Sequence, residues 1–243
     1  MIQKNIFFDI NKLPPEEGLI LFPISMSRVY TGQSPSKILE YILHFSPKKV
    51  SAPKIGLNFI YGDFLYLYSD EPAHILKAKF MNGISNHKNA LQKLLFKHRV
   101  EFQIQHAFEY MLWGQLYLGS KDFINLFNKL LKIYTKDKTF QKYLKEDAKD
   151  AGKKYTKNNK LFFLEEHLLL YLISKKQVRL PNDYIQDREK WILFCYPGKP
   201  PKALVYLFQK NFFKLPKVQP YEGQYDLSSK QYIDFERVDL ETF

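Results

Sequence analysis

The stretch Gly18-Leu-Ile-Leu-Phe-Pro-Ile24 decides the fold of this chain. Seven consecutive residues without a charge are typical of a strand that is buried on both faces of a parallel sheet. A polar turn over residues 25–33 follows, and Ser34-Pro35 then provides an N-cap and a first helical residue. The order strand, loop, helix is the opening unit of a parallel α/β sheet.

Strands and helices are predicted to alternate along the rest of the chain. Residues 55–61, 100–104 and 191–196 are predicted strands, and Pro197-Gly198 ends the last of them. Apolar residues recur at helical spacing in five further segments, which are residues 86–98, 106–118, 121–134, 138–154 and 161–174. We therefore predict an α/β fold, a doubly wound parallel sheet with a helical layer inserted after the third strand.

The charge of the chain is large and unevenly distributed. The 243 residues carry a formal net charge of +12, but residues 221–243 contain six acidic and two basic residues. The remaining body, residues 1–220, therefore has a net charge of +16. A body this basic attracts polyanions, and nucleic acid is the commonest one in a cell; an AT-rich genome that favours lysine codons is the alternative cause. Residues 221–243 are predicted to be an acidic tail that lies across the body or stays mobile.

Composition excludes several classes of protein. Hydrophobic residues make up 45% of the chain, which excludes a mostly disordered protein. The one cysteine, Cys195, excludes a disulfide framework and fits a reducing cytoplasm. The N-terminus resembles no signal peptide, and the apolar runs are shorter than the ~20 residues of a membrane span. We expect a cytoplasmic protein without membrane contact.

Motifs for nucleotide and metal binding are absent from the sequence. None of the ten glycines stands in a phosphate-loop spacing, and none of the six histidines stands in a metal-ligand spacing. We expect neither a cofactor nor a metal.

Two clusters of basic residues are candidates for polyanion binding. Lys88, Lys93, Lys97 and Arg99 form one cluster that contains no acidic residue. Lysines also recur at helical spacing over residues 138–153, where they either follow a phosphate backbone or form a solvated face beside neighbouring acids. The first cluster is the stronger prediction.

Side chains from three segments of the chain are predicted to meet at the carboxyl ends of the strands. Ser25 directly follows the first strand, where its hydroxyl is either a nucleophile or a helix cap. Glu165 and Glu166 follow an apolar helical stretch, where a carboxyl group has a raised pKa and exchanges protons near neutral pH; ordinary acid placement near a helix start is the alternative. Tyr196 ends the late strand, facing the same crevice or capping the core.

Together these segments resemble the tRNA-dependent cyclodipeptide synthases. The resemblance rests on the strand that ends in Ile24-Ser25, the long helical insertion, the Leu164-Glu-Glu166 helix and the Tyr196-Pro-Gly198 strand end, and it spans roughly residues 15–210. It implies a single Rossmann-like catalytic domain over residues 1–220, akin to class I aminoacyl-tRNA synthetases. It also implies an aminoacyltransferase that takes aminoacyl groups from two aminoacyl-tRNAs, in a ping-pong reaction, and releases a 2,5-diketopiperazine. We expect the protein to be a monomer.

The resemblance assigns a role to individual residues. Ser25 matches the nucleophile, Glu166 the glutamate that handles the α-amino proton, and Tyr196 the tyrosine that closes the pocket. Arg28 and Pro197 place the chain in the branch of the family called XYP. The remaining assignments are a first aminoacyl pocket formed by Leu21, Pro23, Leu169 and Phe194, and a tRNA-binding helix that carries Lys88, Lys93, Lys97 and Arg99.

The chain departs from the family at one position of the predicted site. Phe162 stands four residues before Glu166, where the family has a tyrosine that binds the substrate amine. A second alignment uses Tyr171 but then puts Lys175 in place of the glutamate, which is unfavourable because a lysine does not replace a carboxylate. Two hypotheses follow, an active synthase and a tRNA-binding protein with impaired catalysis. A class I synthetase fragment is a third, poorer hypothesis because neither of that class's signature motifs is present.

Overall fold

A computed structural model describes residues 18–25, 28–45, 55–62, 73–98, 108–112, 120, 122–178 and 191–243. The strands in these ranges are β1 (Gly18–Ile24), β2 (Ile55–Tyr61), β3 (Phe108–Leu112), β4 (Trp191–Tyr196), β5 (Gly223–Asp226) and β6 (Gln231–Asp234). The helices are α1 (Pro35–Phe45), α2 (Ala73–Lys97), α3 (Phe123–Lys136), α4 (Lys138–Asp150), α5 (Lys157–Ser174) and α6 (Lys202–Lys210).

The described strands form one sheet in the order β3-β2-β1-β4-β5-β6. All neighbours pair in parallel except β5 and β6, which are antiparallel. The strand order reverses between β1 and β4, and doubly wound sheets bind ligands at the carboxyl ends of strands at such a point. The predicted α/β fold with helices on both faces is confirmed.

The start of β1 depends on a close approach to β4. Gly18 is in register with Trp191, and a Cβ atom at Gly18 would lie 2.0 Å from the indole ring. Glycine is therefore the residue that lets the buried Trp191 pack at this end of the sheet.

Helices cover both faces of the sheet. On one face, α1 and α2 pack on alternate residues of the central strands, such as Ile20 and Phe59. On the other face, α3, α4, α5 and α6 pack against residues such as Leu19 and Ile192. The helical layer inserted after the third strand is present as α3, α4 and α5. This layer brings α4 and α5 to the sheet edge where β1 and β4 end.

The third strand differs from its prediction. The predicted strand at residues 100–104 lies outside the described residues, and the helix predicted over 106–118 is wrong because β3 occupies Phe108–Leu112. The sequence Phe-Glu-Tyr-Met-Leu is too short for its periodicity to separate a strand from a helix. Parallel pairing with β2 decides in favour of the strand.

The acidic C-terminal segment belongs to the sheet. We expected a tail over residues 221–243, but these residues form β5 and β6 and bury Tyr225, Leu227 and Phe235. Their acidic side chains are paired rather than free to repel: Glu222 bonds the Lys175 ammonium and Asp226 accepts hydrogen bonds from Gly198 and Ser228. The acidic composition of residues 221–243 therefore did not predict that they form part of the sheet.

Among the helices of the described residues, we find none with the length and apolar character that a bilayer crossing requires.

Candidate active site

A pocket of about 370 Å³ opens at the carboxyl ends of β1 and β4. Its walls are these strand ends, side chains of α5, the end of α4 with the turn that follows it, the start of α6 and part of the C-terminal segment. Eight residues that were predicted from the sequence line it, namely Pro23, Ser25, Arg28, Phe162, Glu166, Phe194, Tyr196 and Pro197.

Ser25 occupies the first position after β1, and a neighbouring glutamine holds its backbone. The Gln33 carboxamide accepts the Ser25 N–H at 2.8 Å and donates to the Pro23 carbonyl at 2.7 Å. The Ser25 carbonyl accepts the Arg28 N–H at 2.9 Å, which closes the turn. The Ser25 side chain also hydrogen-bonds the hydroxyl of Tyr196. These bonds hold the Ser25 hydroxyl at the pocket.

A buried histidine of α2, on the sheet face opposite α4 and α5, supports this turn. His87 of α2 contacts the Gln33 carbonyl at 2.8 Å through Nε2, so Nε2 carries the proton. Its Nδ1 then accepts the Tyr61 hydroxyl at 2.9 Å. Burial lowers the pKa of His87, which keeps the ring neutral as this network requires. His87 belongs to no sequence motif, so its contact with the turn could not be predicted from the sequence.

Tyr196 and Arg28 both line the pocket and contact each other. The Arg28 guanidinium lies 5.1 Å from the centre of the Tyr196 ring and donates to the Pro197 carbonyl at 2.9 Å. Burial raises the pKa of Tyr196, against the attraction of Arg28 for the phenolate. Tyr196 therefore stays protonated and can share a hydrogen bond with the Ser25 hydroxyl.

Glu166 of α5 contributes a carboxyl group to the pocket wall. Burial raises the pKa of Glu166 to about 7, although Lys153 nearby lowers it. Such a group changes its protonation state near neutral pH, as a proton acceptor must. Glu165, the other member of the predicted pair, is buried and does not line the pocket.

The two alignments of the glutamate motif place their residues in different parts of the structure. Tyr171 is buried in the core, where its hydroxyl donates to the Asn211 side chain at 2.7 Å. Lys175 is also buried and pairs with Glu222 at 2.5 Å. Phe162 and Glu166 line the pocket, so the first alignment is the one that places a carboxylate there.

Leu21 and Leu169, which were predicted for the first aminoacyl pocket, do not line the cavity at the ends of β1 and β4. Leu21 and Leu169 lie in the hydrophobic core with 0% and 3% of their surface exposed. Leu21 is deeper along β1 than Pro23, beneath the helices of that face. Leu170, one residue after Leu169, lines the pocket instead because it shares a helical row with Phe162 and Glu166.

The predicted basic cluster lies on α2, on the face of the sheet opposite α4 and α5. Lys93 and Lys97 are exposed and Lys88 is half-buried, while Arg99 lies outside the described residues. The lysine row over residues 138–153 is divided: most of it lies on α4, whereas Lys153 lies beyond α4 and lines the pocket.

Two charged residues of the pocket were missed or misread in the sequence. Asp147 accepts the N–H groups of Lys202 and Ala203 at 2.7 and 2.9 Å, so it caps α6, and burial raises its pKa to about 7. Nothing in the sequence indicates this distant contact. Lys153 was assigned to a helix face, although Gly152 is a signal that the helix ends before it.

Within the described ranges, no three His, Cys, Asp or Glu side chains are grouped as metal ligands.

Solved structures with the same fold are cyclodipeptide synthases. One, a CDPS from Staphylococcus haemolyticus, has 14% identity and a TM-score of 0.53, with 83% of this chain and 88% of that chain covered. A cyclodipeptide synthase from Bacillus thermoamylovorans has 17% identity and a TM-score of 0.51, with 83% and 86% covered. A Mycobacterium tuberculosis protein, reported to show that cyclodipeptide synthetases are related to type I tRNA synthetases, has 14% identity, a TM-score of 0.50 and coverages of 77% and 76%.

No family model matches the chain, and no curated protein matches it. At these identities the structural likeness establishes a Rossmann-like fold shared with cyclodipeptide synthases.

Proposed function

We propose that this chain is a tRNA-dependent cyclodipeptide synthase, which joins the aminoacyl groups of two aminoacyl-tRNAs into a 2,5-diketopiperazine. The observation that carries the proposal is the convergence of Ser25, Tyr196 and Glu166 on one pocket at the carboxyl ends of β1 and β4. A nucleophile, a hydroxyl partner and a proton acceptor are the groups that transfer of an aminoacyl ester requires. The shared fold supports this proposal.

In the first step, Ser25 attacks the ester carbonyl of the first aminoacyl-tRNA. A bond forms between Oγ and the carbonyl carbon, the bond to the tRNA 3′-terminal oxygen breaks, and that oxygen takes up the proton that the Ser25 hydroxyl loses. Tyr196, hydrogen-bonded to Ser25, holds the hydroxyl in place for the attack. The substrate ester is already activated, so the step requires no nucleotide.

In the second step, the amine of the tethered aminoacyl group attacks the carbonyl of the second aminoacyl-tRNA. Glu166 accepts the proton that the amine loses, and the second tRNA leaves as its 3′ oxygen gains one. The new terminal amine then attacks the seryl ester. This cyclisation releases the diketopiperazine and restores the Ser25 hydroxyl.

The tRNA is proposed to bind to the basic cluster formed by Lys88, Lys93, Lys97 and Arg99. The two exposed lysines of α2 provide charge for phosphate contacts. Arg28 and Pro197, which contact each other, support assignment to the XYP branch. We propose that the protein acts as a monomer in the cytoplasm, where aminoacyl-tRNAs are formed.

The proposal predicts the products of bacterial expression and the effect of Ser25→Ala. Mass spectrometry of the medium should detect cyclic dipeptides that are absent without the protein, and incubation with labelled aminoacyl-tRNA should give a covalent aminoacyl-enzyme. Ser25→Ala removes the nucleophile and should abolish both signals. Ser36→Ala removes the same atom from an exposed position on α1 and should retain both. Product at the wild-type rate from Ser25→Ala would make the nucleophile assignment wrong.

A tRNA-binding protein with impaired catalysis is the second candidate, because Phe162 has no hydroxyl for the substrate amine. In that case tRNA would co-purify with the wild-type protein, while neither a cyclic dipeptide nor an aminoacyl-enzyme would form.

A further inference from the structure

Lys153 reaches the pocket because the chain reverses after α4. The Lys153 N–H donates to the Ala148 carbonyl at 2.8 Å, and Gly152 has a φ of +67°, a conformation that favours glycine. This turn separates Lys153 from the row of lysines on α4 and directs its side chain to the pocket wall.

The ammonium of Lys153 is held on aromatic rings. Its Nζ lies 4.0 Å from the centre of the Phe162 ring and 5.6 Å from that of Phe163. The two rings are 5.2 Å apart and perpendicular, which gives the cation two neighbouring surfaces. A cation over an aromatic face is attracted by the ring electrons, more strongly where water is partly excluded.

The same ring connects Lys153 with Glu166. Phe162 and Glu166 are four residues apart on α5, so they are neighbours on one face of the helix. Burial lowers the pKa of Lys153 and raises that of Glu166, and the attraction between them opposes both changes. Each charge is therefore stabilised by the other in a pocket that would otherwise favour two neutral groups.

We propose that Lys153, held on the Phe162 ring, is a positioning residue that keeps the Glu166 carboxylate ionised to receive the proton of the substrate amine. This inference rests on the proposed function. Lys153 remains protonated throughout, and the proton passes from the substrate nitrogen to a Glu166 oxygen. The ring at position 162, which cannot bind the amine through a hydroxyl, has in this chain the role of a support for the cation.

The other charged or titratable groups around Glu166 have their own partners, stay neutral or are exposed to solvent. They are Arg28, which bonds Pro197; Asp147, which caps α6; Asp150, which is exposed on α4; Lys199, which lies over Phe243; Lys202, which pairs with Glu146; Tyr196, whose pKa burial raises; and His167, whose pKa burial lowers to about 3. Among the residues that the structure describes, Lys153 is the cation whose attraction lowers the pKa of Glu166.

Titration of Glu166 tests the inference directly. The carboxyl resonance is followed by ¹³C NMR in the wild-type protein, assigned by its loss in Glu166→Gln, and compared with Lys153→Met and Lys153→Arg. Removing the cation should raise the pKa of Glu166 by one unit or more, whereas Lys153→Arg should stay near wild type. Lys154→Met, the same charge change at the exposed neighbour, is the control and should not shift it.

Activity should follow the titration. Glu166 must be ionised, so the acid limb of the pH–rate profile should move to higher pH in Lys153→Met, by the same amount as the pKa. A shift of one pH unit corresponds to about a tenfold lower rate at pH values below the pKa of Glu166. At pH values well above that pKa, the rate of Lys153→Met should equal the wild-type rate. Lys153→Arg should keep the wild-type limb.

An unchanged Glu166 titration in Lys153→Met would overturn the inference, whatever the activity. If Lys153→Met fails to fold, Phe162→Leu removes the ring support, should raise the pKa by a smaller amount, and overturns the inference if it does not. If the wild-type protein forms no diketopiperazine, the proposed function fails, but the Glu166 titration still decides whether Lys153 ionises it.

Discussion

Gln33 is a core residue that determines where the Ser25 backbone lies. Its exposed fraction is 2%, and its one side chain connects the Ser25 N–H with the Pro23 carbonyl. A hydrophobic group of similar length would fill the same space without either bond. Both backbone groups would then lose a partner in a part-buried turn, which costs about 1–3 kcal/mol for each unpaired group.

Gln33→Met is therefore expected to slow formation of the aminoacyl-enzyme more than it weakens tRNA binding. Because two backbone groups lose their partner, urea denaturation should show a loss of about 2–6 kcal/mol in the free energy of unfolding. Single-turnover transfer from labelled aminoacyl-tRNA measures the rate. Gln209→Met, which removes one hydrogen bond from an exposed glutamine to Val238, should leave that rate unchanged. Transfer at the wild-type rate in Gln33→Met would contradict the positioning role.

Ser25 and Tyr196 were predictable because they end strands, whereas individual pocket-lining leucines were not. An apolar run followed by turn residues shows where a parallel strand ends. A residue at that end lies at the edge of the sheet where ligands bind. Which leucine of α5 reaches the pocket depends on the rotation of the helix against the sheet. The row Phe162, Glu166 and Leu170 faces the pocket, and Leu169 belongs to the adjacent row in the core.

The helix α2 combines a basic surface with a contact to the turn that follows β1 and begins with Ser25. Its 25 residues include five lysines and no Asp or Glu. Ile84, Leu91 and Leu95 are buried against the sheet, while Lys93 and Lys97 are exposed one turn apart. His87 of this helix bonds Gln33. A tRNA held on α2 would thus contact the same element that supports Ser25.

The pair of reversals Lys93→Glu and Lys97→Glu should weaken tRNA binding. Binding measured by fluorescence at several salt concentrations should show a shallower dependence on salt, because each lost phosphate contact lowers the slope by ~0.7–0.9. Lys132→Glu with Lys136→Glu is the matched control, since both lysines are exposed at the same spacing on α3. A salt slope that is equal in both double variants would remove α2 from the tRNA interface.

The inserted helices and the C-terminal strands are joined by a buried ion pair. Lys175, directly after α5, pairs with Glu222, directly before β5, and their side chains are 3% and 0% exposed. Burial raises the pKa of Glu222, and Lys175 opposes this increase. The pair connects the helix that carries Glu166 with the edge of the sheet.

Glu222→Ala should destabilise the whole protein by about 3–5 kcal/mol, because it leaves the Lys175 ammonium buried without its partner. Replacing both residues, Lys175→Met with Glu222→Leu, should recover most of this free energy of unfolding in urea titrations. Lys217→Ala breaks the exposed pair with Glu236, whose side chains are 41% and 42% exposed, and should cost at most about 1 kcal/mol. Equal losses in Glu222→Ala and Lys217→Ala would contradict a structural role for the buried pair.

The sequence by itself determined the central strands, the helical layer after the third strand and the strand-end positions of Ser25 and Tyr196. These features depend on hydrophobic periodicity and on turn residues, which act over short stretches of chain. Only the tertiary structure decided that Phe108–Leu112 is a strand, that residues 221–243 complete the sheet and that Lys153 lies over Phe162. Each of these depends on a partner distant in sequence, and local patterns do not specify which buried groups meet.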